Sequence, residues 1–139
     1  MPIQFQLLRI EVPQFAIITD KPVGGPFRVN FDINFATNKE QRVIKCTLKI
    51  VYLKDSELIS QLVVDTVFAI AEESWRELKR DEKIVLPSAF LQHLAVISLG
   101  TARGIQYAKT EIAGLNNDLI PLINLTEIVR NDIEITLEQ

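Results

Sequence analysis

Phe27-Arg28-Val29-Asn30-Phe31-Asp32-Ile33-Asn34-Phe35-Ala36 alternates apolar with polar side chains at every step from Phe27 to Phe35. A period of two sets Phe27, Val29, Phe31, Ile33 and Phe35 on one face of an extended strand and Arg28, Asn30, Asp32 and Asn34 on the other. One face is to be covered and the other wetted, the pattern of an antiparallel sheet with a single packed side.

The same period recurs on both sides of this stretch. Upstream, Ile3, Phe5 and Leu7 share a face before the phase slips to Leu8, Ile10 and Val12, which predicts a β-bulge or burial of both faces within a strand from Ile3 to Val12. Pro13 and Asp20-Lys21-Pro22-Val23-Gly24-Gly25-Pro26 predict a loop, and its apolar Phe15, Ile17 and Ile18 imply that it packs down on something. Downstream, the polar turn Thr37-Asn38-Lys39-Glu40 leads into a third strand, Arg42 to Leu53. Asp55-Ser56 then turns into a fourth, Leu58 to Ala71. Connections this short make consecutive strands antiparallel neighbours.

The period changes at Ala71-Glu72-Glu73. Ser74 to Arg80, with Trp75 and Leu78 three apart, reads as a short helix or turn laid over a surface. Pro87 suits the first turn of a long helix running to about Lys109. Its stripe of Phe90, Leu94, Ile97, Thr101, Ile105 and Ala108 is joined by Ala89, Ala95, Val96, Leu99 and Ala102. Four turns therefore lack a charged face, and burial on two sides is expected. The sheet covers one side only. A second helix or another subunit must cover the other, with Leu94, Ile97, Gly100 and Gly104 as expected oligomer contacts, the two glycines allowing close approach. Leu115 to Asn124, with Pro121, reads as a loop. Asn124 and Glu127 then form the capping box of a short C-terminal helix with Leu125, Ile128, Val129 and Ile133 on one face. Ile133, Ile135 and Leu137 also alternate with Glu134, Thr136 and Glu138 as a strand would; helix is favoured. The expected class is α+β, a single domain over residues 1–139 with a four-stranded antiparallel sheet, a long helix and a short C-terminal helix.

At 139 residues, 47% hydrophobic and 24% charged, the chain is expected to form one ordinary core. A net charge of −3 without a Lys/Arg cluster argues against nucleic acid or an anionic membrane as the main partner. Leu86 to Ala102 is uncharged, but it opens on Leu-Pro, contains Gln92 and His93, and barely reaches the ~17 residues that a span requires. No membrane span is expected. The N-terminus lacks a basic start and a long apolar run, so a cytoplasmic location is the expectation.

Cys46 and His93 are the only residues of their types. An internal disulfide is impossible and a Cys/His zinc site within one subunit is excluded. Cys46 sits in Val43-Ile44-Lys45-Cys46-Thr47-Leu48, where it serves as a small hydrophobe. Gly24-Gly25 precedes Pro26, and Gly100 and Gly104 lie in a helical pattern, so no phosphate-cradling loop is present. Glu72-Glu73 and Asp81-Glu82 read as solvated charges, and His93 as a core or interface histidine rather than a general base. Ser56, Ser60, Ser74, Ser88 and Ser98 lack a nucleophile-elbow context. An enzyme, a cofactor and a metal are all unexpected. What remains is apolar surface on the Val29, Phe31, Ile33 strand and on the helix with Val129 and Ile133. That surface is either plain core or the frame of a groove.

Six stretches in a fixed order are similar to the SecB export-chaperone family over nearly the whole chain. They are Phe5-Gln6-Leu7-Leu8-Arg9-Ile10, Val29-Asn30-Phe31-Asp32-Ile33-Asn34, Val67-Phe68-Ala69-Ile70-Ala71, Leu86-Pro87, Arg103-Gly104 and Leu119-Ile120-Pro121-Leu122-Ile123-Asn124-Leu125. Each is weak alone; their shared order carries the match. The resemblance implies a dimer of dimers without ATPase that keeps unfolded preproteins from aggregating and passes them to the translocation motor. Its client-contacting positions would be Val29, Phe31, Ile33, Val129 and Ile133. The chain departs from the family in three places: a longer stretch between Arg103-Gly104 and Pro121, no flexible tail for motor contact, and Gln61 at an acidic motor-docking position. A chaperone or adaptor dedicated to one partner, such as an antitoxin, therefore stands beside the general holdase. A non-chaperone oligomeric module is the third possibility.

Overall fold

The computed structural model describes residues 3–17, 28–54, 57–112 and 129–136. Its elements are β1 (Phe5–Ile17), β2 (Arg28–Asn38), β3 (Val43–Lys54), β4 (Glu57–Ile70), α1 (Glu72–Glu77), β5 (Lys79–Arg80), β6 (Lys83–Leu86), α2 (Ser88–Ile112) and β7 (Ile133–Thr136). The first four strands form one antiparallel sheet in the order β1-β4-β3-β2, and the last three form a small sheet in the order β5-β6-β7. The two short connections give antiparallel neighbours as expected. The long β1–β2 connection instead sends β2 to the far edge.

The phase slip in the first strand is a true irregularity, since the β1–β4 register shifts between Leu7 and Arg9. A second shift lies between Glu11 and Gln14 and brackets Pro13. The strand therefore runs on to Ile17 instead of ending at Val12 in a loop. At an edge-strand bulge the missing proline N–H costs no ladder bond, which is why Pro13 fails to stop it. Phe15 pairs across from Leu62 and packs on the core, as its apolar character implied. Residues 18–27 lie outside the described residues. In the next turn, Asn38 Oδ1 accepts the Glu40 and Gln41 N–H groups, each at 3.1 Å. Arg42 follows at φ 54° and returns to Ile70 through both its carbonyl and its Nε.

The core lies between the sheet and α2. Ile44, Cys46, Leu48, Ile50 and Tyr52 of β3, with Leu62, Val64, Thr66, Phe68 and Ile70 of β4, are buried at period two. Across from them α2 buries Phe90, Leu91, Leu94, Ala95, Ser98, Leu99, Ala102 and Gln106. The buried stripe is thus rotated from the expected one, and Ile97, Thr101 and Ile105 sit at its flank. Phe5 closes one end, edge-on to Phe68, Phe90 and His93 at centroid distances of 5.8, 5.5 and 5.8 Å. Such pairs contribute about 0.5–1.5 kcal/mol beyond area burial.

Two further readings of the sequence are corrected. The short helix begins at Glu72 and ends at Glu77, buries Trp75 and Leu78 as expected, and gives way to an unexpected β5–β6 hairpin turning at Asp81 with φ 57°. The C-terminal helix does not extend over 129–136. Val129 and Arg130 carry no regular structure, and Ile133–Thr136 is β7, paired antiparallel with β6. The physical reason is the edge that β6 offers: Leu86 lies opposite Ile133 and Ile84 opposite Ile135, so two β-branched side chains gain core contacts as a strand. The expected loop at 115–124 and the capping box at Asn124 and Glu127 lie outside the described residues.

Candidate functional site: an apolar edge beside the C-terminal strand

β2 is an edge strand, and its inward face is only partly covered. Val29, Phe31, Ile33 and Phe35 are half-buried, while Ile44, Cys46, Leu48 and Ile50 on the adjoining β3 are buried. The gradient follows from position: α2 packs over β3 and β4, and β2 has a neighbour on one side alone. Val29 and Phe31 rest on a cluster that includes Leu48, Leu62, Leu99 and Ala102, and Phe35 on one that includes Phe68, Phe90 and Leu94. Ile33 touches both.

The two edges of the sheet differ in kind. β1 is interrupted by Pro13 and two register shifts, devices that blunt an edge against further pairing. β2 pairs with β3 without a shift from Arg28–Leu53 to Asn38–Val43 and contains neither proline nor lysine. Its wet face carries Asn30, Asp32 and Asn34, with Asn34 Nδ2 donating to Asp32 Oδ2 at 3.3 Å. It is a regular, unblunted edge bearing apolar side chains on its inner face.

Val129 and Ile133 lie on no helix and share a cluster with Ile33 and Phe35, at one end of this strand. Val129 is 6% exposed, and Ile133 and Ile135 are half-buried against the cluster that Ile33 and Phe35 touch. Four further bonds hold the segment. Gln92 Nε2 donates to the Val129 carbonyl at 2.7 Å, the Ser88 N–H to Asp132 Oδ1 at 2.7 Å, Lys83 Nζ pairs with Glu134 at 3.0 Å, and Lys39 Nζ donates to the Thr136 carbonyl at 3.1 Å. Asp132 brings negative charge to the α2 N-terminus, where the first amides lack partners within the helix. The Ile133-Glu134-Ile135-Thr136 alternation was the signal for the strand, outweighed in the sequence by the helical reading; Phe35 and Ile135 pack on the same cluster as Ile33, Val129 and Ile133.

The expected oligomer contacts divide. Leu94 is wholly buried in the core and Ile97 packs at its margin, whereas Gly100 and Gly104 are exposed with open space where a Cβ would stand. Outward apolar surface lies elsewhere, on Leu7, Leu8, Ile10 and Val12 of β1 and Val96 of α2, which are 36–56% exposed. The slip at Leu7-Leu8 and the uncharged helix were its signals in the sequence.

Polar groups inside the core are locally satisfied. Ser98 donates its hydroxyl proton to the Leu94 carbonyl at 2.9 Å, and the Thr66 hydroxyl shares its own between Ser98 Oγ and the Cys46 carbonyl, the latter at 3.3 Å. Burial pushes the Cys46 thiol above its ordinary pKa, with bonds to Ser98 and Thr66 opposing the shift. A buried, protonated thiol is a poor nucleophile. His93 is exposed on α2 and rests edge-on against Phe5. Gln61 donates to Gln14 Oε1 at 2.6 Å across the β4–β1 pair. Among the described residues, no three His, Cys, Asp or Glu side chains gather where they could hold a metal, and no helix is long and apolar enough to cross a membrane.

Together these features define an α+β fold of SecB-like architecture. No model of a known family and no curated protein matches the chain. Among solved structures, the chain is similar to the Mycobacterium tuberculosis Rv1957 SecB-like chaperone in complex with a ChAD peptide from the Rv1956 HigA1 antitoxin. The TM-score is 0.51 at 12% identity, over 86% of this chain and 91% of that one. A protein of unknown function from Streptococcus agalactiae matches with a TM-score of 0.40 at 15% identity, over 89% of this chain and all of the other. At 12% identity the likeness to the SecB-like chaperone concerns the fold alone.

Proposed function

We propose that this chain is an ATP-independent holdase that binds unfolded polypeptide segments along the β2 edge, in the cytoplasm. The observation that carries the reading is the half-buried Val29, Phe31, Ile33 stripe on an unblunted edge, in contact through Ile33 with the cluster that holds Val129 and Ile133. Unpaired backbone on an edge strand accepts any extended chain, and apolar burial at about 25 cal/mol per Å² is non-directional, so many sequences suit the site. A half-open stripe also speaks against an oligomeric module in which it serves only as core. Self-association as a dimer of dimers belongs to the proposal, through Gly100, Gly104, Val96 and the exposed β1 side chains, with Leu94 and Ile97 bracing the helix from within. Delivery to an export motor would need a docking point other than Gln61, which presents an amide paired with Gln14.

A second reading has its own support. The SecB-like chaperone of similar fold is bound to an antitoxin peptide, which favours a chaperone dedicated to one partner. One experiment separates the two. Stoichiometric protein without ATP is mixed with several unrelated unfolded substrates, and aggregation is followed by light scattering. Suppression of most of them marks the general holdase, whereas protection of a single co-purifying partner marks the dedicated one; protection of none sinks both. In the positive case Phe31→Asp should weaken binding more than tenfold while leaving the circular dichroism spectrum unchanged.

A further inference from the structure

β7 has the pattern that a client of this site must have. Ile133 and Ile135 point to the core and Glu134 and Thr136 to solvent, the same alternation that marks β2. Its partner strand β6 faces the core with Ile84 and Leu86, 1% and 0% exposed beneath it. Val85 N–H is turned away, donating to the Leu78 carbonyl at 3.1 Å, so the ladder to β7 runs through Ile84 and Leu86. The four-residue strand thus fills an edge that would otherwise show unpaired backbone.

The attachments of β7 are unequal along its length. Val129 is an anchor, 6% exposed, with its carbonyl held by Gln92. Beyond it the bonds that tie the strand down are at the surface: Asp132 with Ser88, Lys39 with the Thr136 carbonyl, and the Lys83–Glu134 pair, whose side chains are 50% and 58% exposed. Exposed ion pairs add little, and Ile133 and Ile135 are only half-buried. Short segments with few buried contacts open locally at a small fraction of the global stability. Release from Asp132 onward would free the backbone edge of β6 beside the cluster that Ile33 and Phe35 already touch.

We propose that β7 is a displaceable intrachain strap, an internal stand-in for client, and that a client held along β2 extends a segment with apolar residues at alternate positions past Ile33 and Phe35 onto β6, in the place of β7. The proposal rests on the holding function above and adds its regulation: β7 competes with client and raises the threshold for weakly apolar segments.

A disulfide across Val85 and Glu134, directly opposed on β6 and β7 and outside the hydrogen-bonded pairs, locks the strap. The Val85→Cys/Glu134→Cys variant is titrated with permanently unfolded, carboxymethylated α-lactalbumin in its oxidised and reduced forms. The oxidised form should bind at least tenfold more weakly than the reduced form, and reduction should restore binding. Equal affinity of the two forms overturns the strap and leaves the holding function standing. Absence of binding in both forms and in the unmodified protein overturns the holding function and the competition built on it. Opening itself is read without client by hydrogen exchange. The Ile84, Leu86, Ile133 and Ile135 amides should exchange at least a hundredfold faster than those of Leu94 to Leu99, and exchange at the common, global rate overturns the strap.

Discussion

Cys46 illustrates how a single residue can be legible in sequence while its surroundings are not. Its place in an alternating strand marked it as a small hydrophobe, and it lies wholly buried on β3. The Thr66–Ser98 bond beside it was beyond reach, because it depends on the rotation of α2 over the sheet, and the expected stripe was off by part of a turn. Burial holds the thiol's folded-state pKa above its unfolded value of about 8.5. Its stabilising contribution is therefore complete below that pH and is lost as pH rises through the folded pKa. Thermal melts from pH 8 to 10 should show a shallower alkaline loss of stability for Cys46→Ala than for the parent. A thiol reagent at neutral pH should label Cys46 only at the rate of global unfolding; rapid labelling of folded protein would refute the buried placement.

At the scale of elements, hydrophobic period identified β2, β3, β4 and α2 and failed where elements are short or borrow their stability. β5 has two residues and no apolar period, so only the turn at Asp81 holds the hairpin in view. A left-handed aspartate is strained relative to glycine. Asp81→Gly should stabilise by about 0.5–1 kcal/mol, read as a rise of ~2–4 °C in Tm; a fall in Tm would contradict the turn geometry. β7 was ambiguous because its partner edge lies far off in sequence at β6, and the sequence pattern cannot choose a partner. Its Asp132 caps a helix that begins 44 positions earlier. Asp132→Ala should cost ~1 kcal/mol in denaturant unfolding, and Asp132→Asn less, since the amide oxygen still accepts.

Across the whole molecule, the α+β class and the β2 stripe were legible, because one buried sheet face imposes a period that survives any topology. Val129 and Ile133 were legible as apolar residues but assigned to the wrong element, since Val129 lies in irregular chain and Ile133 in β7. The exposed apolar face of β1 and α2 predicts self-association. Val96→Asp, at a position 56% exposed, should shift light scattering toward a smaller species with no loss in monomer stability. An unchanged mass would remove Val96 from the interface. The bond between Asp132 and Ser88 also carries a consequence in time. A ribosome adding ~5–20 residues per second places the helix start and its remote cap roughly 2–9 seconds apart. During that interval the helix lacks its terminal acceptor and β6 lacks its second neighbour, so a chain truncated after Ile112 and released from the ribosome should be protease-sensitive at Ile84 to Leu94, where the chain carried on through Thr136 is resistant.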